Sequence, residues 1–269
     1  MSGLSCLLAL SLAAMGPPGP GRGQEPVLLR AVLRSPGGEL PFGLEILPGE
    51  DPPRAFLLNG NERIPVPKVG FSAHKLALCF PHYASEIQAV ALEEGSYSGT
   101  WRKRAAGGGW TVMVFSAEIL PRRLGDAGRP WRFAREVRAP RLPGGPAPVL
   151  FPDSIAGDWK VSFHGSDGRD DQPAVARFRN VEGRLLGTFL TPTGDYRFLE
   201  GLWERGELRL SAFDGAHAFL FHARAGQDGR LTGDFWSRDT WHETWDASRL
   251  PPGTDPESAL PDPFTLTGV

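Results

Sequence analysis

Cysteine is nearly missing from this 269-residue chain, which holds only Cys6 and Cys79. That excludes a disulfide scaffold, a cysteine-rich zinc site and a CxxC redox centre within the chain. An excess of one charge is missing as well. The 29 Lys and Arg residues nearly balance 31 Asp and Glu, for a net charge of −2. No overall basic field exists to draw in nucleic acid or anionic lipid, so neither is expected as a partner. No apolar run is long enough for a bilayer: Leu4–Met15, LSCLLALSLAAM, is too short to span one. There is no GxGxxG, no phosphate-binding loop and no Asn-x-Ser/Thr. No cofactor is implied.

Glycine, proline and aromatic residues are plentiful. The chain has 34 Gly and 26 Pro, with eight Trp and sixteen Phe. Many turns and a sizeable apolar core follow, and a helical bundle is excluded, because helix interiors tolerate neither Gly nor Pro. Leu4–Met15 has the length of a signal-peptide core and is followed by Gly16-Pro17-Pro18-Gly19. Residues 1–24 are therefore expected to be a signal peptide, and the protein to be exported to the periplasm or cell envelope. Its start, Met1-Ser2-Gly3, carries no basic residue. Residues 121–149, rich in Arg, Pro and Gly, are expected to be a linker, and residues 250–269 an extended, Pro-rich C-terminal tail.

From Gly157 onward, apolar residues alternate over short stretches that turn every 8–12 residues at Thr193-Gly194-Asp195, Arg205-Gly206-Glu207, Phe213-Asp214-Gly215 and Gln227-Asp228-Gly229. Period-two alternation marks strands with one buried face. Asp-Gly and Gly-Asp pairs supply the left-handed residues of tight hairpins. An up-and-down barrel or a sandwich is predicted. The first half repeats the plan: Leu76–Phe80 matches Leu208–Phe213, Gly99-Thr100-Trp101 matches Gly233-Asp234-Phe235, and Phe56–Arg63 matches Phe189–Arg197. These anchors keep their order and spacing. The fold class expected is all-β, with two related antiparallel barrel- or sandwich-like units over 25–120 and 150–249, arising by internal duplication.

Several strings carry a resemblance: Gly187–Gly201 (GTFLTPTGDYRFLEG), Leu210–Phe221 (LSAFDGAHAFLF), Trp241–Trp245 (WHETW), Leu260-Pro261-Asp262 and Pro36–Phe42 (PGGELPF). Together they resemble the N-terminal, non-thioredoxin β domain of exported TlpA-like disulfide reductase and peroxiredoxin-like (redoxin-domain) proteins, over about residues 27–267. The resemblance implies a domain fused in front of a thioredoxin fold. This sequence ends where that fold would begin, so no redox cysteine pair carries over. A stand-alone accessory domain and a reading frame cut before a thioredoxin domain are both open. The partner implied is a thioredoxin-fold protein or its substrate.

Candidate chemistry is sparse. His217, His222 and His242 lie near Asp214 and Glu243, but His242-Glu243 lacks the second histidine of a zincin and the spacing fits no metal-ligand pattern. Asp195, Glu200, Asp214, Asp234 and Glu243 are the carboxylates available for acid–base work, although Asp195 and Asp214 read as turn residues. Gly95–Gly99 only superficially resembles a nucleophile elbow, since its centre is Tyr97. Twelve of the fourteen aromatics between Trp159 and Trp245, all but Trp203 and Trp236, either fill one small barrel or line a pocket for a small apolar ligand; they include Phe198, Phe213 and Trp241. Thr191, Thr193, Asp195, Tyr196, Asp214, His217 and His242 are the polar groups expected near any ligand-binding mouth. The reading is a non-catalytic accessory or interaction domain. The alternatives are a lipocalin-like carrier of a small ligand and a hydrolase with an Asp/His site.

Overall fold

A computed structural model describes residues 25–120, 155–165 and 171–260, apart from positions 94, 106, 182, 183 and 193. The expected signal peptide, the linker, Thr193 and the end of the tail lie outside the described residues. The structure is almost all strand, and among the described residues no helix is long and apolar enough to cross a membrane. Two compact units are present. The described residues of the first are 25–120 together with Phe213–Ala218; the second holds the remainder.

The first unit is one nine-stranded antiparallel sheet. Its strands are β1 (Val27–Ser35), β2 (Gly38–Leu47), β3 (Arg54–Asn59), β4 (Glu62–Pro65), β5 (Lys68–Phe71), β6 (Lys75–Phe80), β7 (Ser85–Glu93), β8 (Ser96–Arg104) and β9 (Trp110–Ile119). Their spatial order is β4-β3-β2-β1-β9-β8-β7-β6-β5. The second unit is a closed barrel of β10 (Gly157–Gly165), β11 (Gln172–Val181), β12 (Arg184–Thr191), β13 (Gly194–Glu204), β14 (Glu207–Phe213), β15 (Ala218–Ala225), β16 (Leu231–Ser237) and β17 (Trp241–Arg249), each paired with its neighbours in sequence. In both units the last strand returns to the first: Leu33 pairs with Phe115, and Phe163 with Trp245.

The expected repeat falls on equivalent strands. Leu76–Phe80 is in β6 and Leu208–Phe213 in β14, each the first of the last four strands of its unit. Gly99 on β8 lies opposite Ala89 on β7, as Gly233 on β16 lies opposite Ala223 on β15. A Cβ at Gly99 would collide with the carbonyl of Gln88, and one at Gly233 with the carbonyl of His222. Both glycines permit the same close approach of two strands.

The units differ in how they close. The barrel passes through one long strand, β13, that pairs with β12 on one side and β14 on the other. The corresponding stretch of the first unit is broken into β4 and β5 around Pro65-Val66-Pro67, and these two strands are the ends of the sheet. Proline offers no N–H to a ladder, so a strand flanked by Pro65 and Pro67 cannot pair continuously on both sides. At the matching point β13 has a bulge instead, where the register shifts between Gly187 and Phe189 and Phe198 takes a left-handed φ of 58°. This corrects one detail of the alternation. Phe198, expected on the buried face with Tyr196, is 42 % exposed, because the extra residue of a bulge switches faces.

Inward positions form the cores. In the first unit Leu29, Leu33, Phe42, Leu44, Trp101 and Phe115 are fully buried. Phe213 joins this core with its ring 4.6 Å from Phe42 and 5.5 Å from Trp101. Its backbone is held by Asn59, whose Nδ2 donates to the Phe213 carbonyl at 2.7 Å and whose Oδ1 accepts the Phe213 N–H at 2.9 Å. Ser85 Oγ donates to the Gly215 carbonyl, and Lys103 Nζ to that of Ala216 at 2.8 Å. Cys79 is buried and free, a small apolar core residue.

Two outcomes follow for stability. Gly99→Ala and Gly233→Ala should each cost about 2–4 kcal/mol in urea unfolding, whereas Gly107→Ala, where a Cβ meets nothing, should stay within about 0.5 kcal/mol. Asn59→Ala strands two buried backbone groups and should cost about 2–4 kcal/mol by the same measurement.

Candidate functional site

The barrel interior is filled. Phe189 stacks on Phe221 at 4.4 Å, and Phe221 on Phe235 at 4.4 Å. Phe163 touches Phe189, Phe221, Phe235 and Trp245 around them. Rings this close are in van der Waals contact, as in eight-stranded barrels that hold side chains alone. Tyr196 closes against Phe219 and Phe235 at 5.0 and 4.8 Å. Burial, aided by the charge of Glu243, pushes its hydroxyl up to about 12.

The polar groups converge elsewhere, on the outer face of β15, β16, β17 and β10. Alternation sends Phe221, Phe235, Trp245 and Phe163 inward, so their neighbours His222, Asp234, Thr244 and His164 face outward. Strand register aligns these four: His222 opposite Asp234, Asp234 opposite Thr244, Thr244 opposite His164. All four line an open groove of about 620 Å³, bordered by the charged residues Glu207, Arg209, Arg224 and Asp246. Beside it, His242 Nε2 meets Asp234 Oδ1 at 2.8 Å, while Trp236 stacks on His242 at 5.2 Å and meets His222 edge-on at 5.3 Å.

Two histidines of the groove are tuned in opposite directions. His164 lies between two carboxylates, with Nδ1 2.8 Å from Asp171 and Nε2 2.9 Å from Asp246. These hydrogen bonds raise its pKa above the ordinary imidazole value, and both ring nitrogens are occupied. His222 is desolvated by burial and repelled by Arg209, which lowers its pKa despite Asp234 and Glu207. The groove therefore holds one imidazole whose surroundings favour the neutral form, His222, and one whose two carboxylate partners favour the protonated form, His164. Partial burial disfavours the charged form of Asp246, but hydrogen bonds from His164 and Arg230 outweigh it and lower its pKa.

The expected ligand-binding residues are dispersed. Thr191, whose Oγ1 bonds the Gly194 carbonyl, and Asp195, paired with Arg197 at 2.8 Å, lie at the β12–β13 hairpin. Tyr196 belongs to the interior, and His242 to the outer face. Asp214 and His217 fall in the other compact unit. There Asp214 Oδ1 accepts the N–H groups of Ala216 and His217 at 2.8 and 2.6 Å, and Oδ2 meets His217 Nδ1 at 2.9 Å. Burial opposes this carboxylate's ionisation, yet its bonds to His217 and Ala216 lower its pKa: it is a turn residue. Trp241 is 37 % exposed, outside the aromatic core. Glu200 is buried against Arg184 at 3.6 Å. Among the described residues no group of three or more His, Cys, Asp or Glu is placed to hold a metal ion. Sequence reasoning missed His164, Trp236 and Asp246. The hairpin turn at Gln227-Asp228-Gly229 is a signal that aligns His222 with Asp234, but no local pattern announces that β17 returns to β10.

No family model matches the chain, and no curated protein does. Among solved structures, it is similar to the crystal structure of a protein of unknown function of the DUF3598 family from Nostoc punctiforme. The identity is 13 %, over 84 % of this chain and 95 % of that one, with a TM-score of 0.29.

The His164 bridge gives a signed pH dependence. A raised histidine pKa contributes stability that is complete below its unfolded value of 6.5 and is lost as pH rises through the folded value. The lowered Asp246 contributes above 3.8 and loses its effect as pH falls through its folded value. His164→Gln should thus be less stable than the parent near pH 5.5, with the difference shrinking as pH rises toward 9, as read by urea unfolding at about these two pH values.

Proposed function

We propose that this chain is a non-catalytic binding domain whose contact surface is the outer face of β15, β16, β17 and β10. The observation that carries the reading is the aligned row His222–Asp234–Thr244–His164 over an open groove, on a barrel whose interior is already filled. The filled interior favours a surface partner over an enclosed apolar ligand. The occupied nitrogens of His164 favour binding over base catalysis at that residue. Mixed, mostly paired charges suit a polar polypeptide surface: Arg224 and Arg209 with Glu207, Arg230 with Asp246. The partner class proposed, from the TlpA-like resemblance, is an exported thioredoxin-fold protein or its substrate. This chain would present a partner to a redox enzyme and perform no exchange itself, since Cys79 is a lone buried thiol among the described residues.

The test combines activity and mapping. The purified chain should not reduce insulin disulfides. In a titration with a thioredoxin-fold reductase, amide NMR shifts should concentrate on β15–β17 and β10, and Trp236→Ala should weaken binding by roughly tenfold. Insulin reduction, or shifts confined to the barrel ends, would overturn the reading.

A further inference from the structure

We propose that the outer face of β7, β8 and β9 is a self-association surface, on which two copies of this chain pack sheet against sheet with their strands antiparallel.

Strand β9 is central, flanked by β1 and β8. Its alternation is regular: Thr111, Met113, Phe115 and Ala117 are buried, and Trp110, Val112 and Val114 project outward. Val112 and Val114 are 51 % and 56 % exposed, and on β7 Val90 and Leu92 are 57 % and 73 % exposed. Register brings Val90, Val112 and Val114 onto one patch, with Val114 opposite Thr100 and Val90 opposite Ser98 on the intervening β8, while Leu92 is the unpaired residue of a bulge on β7. The matching strand of the second unit, β17, has His242, Thr244 and Asp246 at its outward positions. The same fold position is therefore polar in one repeat and aliphatic in the other. An exposed aliphatic patch rimmed by polar and charged residues has the character of an interaction surface.

Charge selects the occupant and its orientation. At one end of the patch Arg102 and Arg104 lie over the Trp110 ring at 5.2 and 5.9 Å. Arg102 is also paired with Glu86. At the other end stand Glu93 and Glu118, and neither they nor Arg104 has an ion-pair partner among the described residues. Val114 lies midway between the two ends on β9. A two-fold axis along the strands would set Arg104 over Arg104. A two-fold axis across the strands sets the basic end of one copy over the acidic end of the other and stacks the valines at the centre. The patch is thus self-complementary in one orientation only, as an isologous interface requires. Three strands about 4.8 Å apart and nine residues long present roughly 400–500 Å² of face, which places the dimer among weak interfaces with micromolar dissociation.

Sedimentation equilibrium of the full chain over roughly 1–200 µM should show a reversible monomer–dimer transition. Val114→Glu, on an exposed position, should leave the far-UV circular dichroism and unfolding midpoint unchanged and give monomer throughout. Arg104→Glu and Glu118→Arg should each weaken the dimer by roughly tenfold, and the two together should restore it, because each copy then again meets opposite charge. A chain monomeric at every concentration, a dimer indifferent to Val114→Glu, or a double reversal that fails to recover would each overturn the proposal.

Discussion

In the second unit every strand is paired on both sides, so no edge is left open, and the rest of that unit's structure depends on this closure. Once β17 pairs with β10, every inward position of eight strands points at one axis, and the space about that axis is small. Seven fully or nearly fully buried aromatic rings pack into it. Closure also juxtaposes outward residues from strands far apart in sequence, which is how His164 comes to share Asp246 with Arg230.

The first unit shows what happens when the same plan lacks one continuous strand. Its first and last strands still pair, and its glycine opposite an alanine recurs in the same hairpin. Two prolines nevertheless interrupt the strand that would complete the circle, and the sheet ends at β4 and β5. In the barrel that position is served by a bulge, which relieves the strain of curvature by adding a residue instead of breaking the ladder. The core of the first unit is completed by Phe213, whose backbone Asn59 holds with two buried hydrogen bonds. The two repeats also differ on their outer faces, valines on β9 and ionisable groups on β17, although their inward residues follow one rule.

Local chemistry was legible residue by residue. Asp214 makes the turn that Asp-Gly predicts, Cys79 is the buried small residue that a lone cysteine suggested, and the three repeat anchors sit on equivalent strands. Phe198 was misplaced because alternation assumes a regular strand, and a bulge leaves no mark in an apolar run. The polar residues expected around one ligand-binding mouth divide among a hairpin, an interior, an outer face and the other compact unit. His164, Trp236 and Asp246 carry no local signal: each is ordinary among its own neighbours and gains its partners from the strand beside it.

By itself the sequence determined the class of structure, since period-two patterning and hairpin glycines permit little besides antiparallel sheet, and it offers no CxxC pair. Tertiary structure alone decided closure, the filled interior, and which outward groups meet. The reason is physical. Alternation fixes the face of each residue from its own strand, while register across a closing sheet is set by packing between strands distant in the chain, which no local pattern encodes.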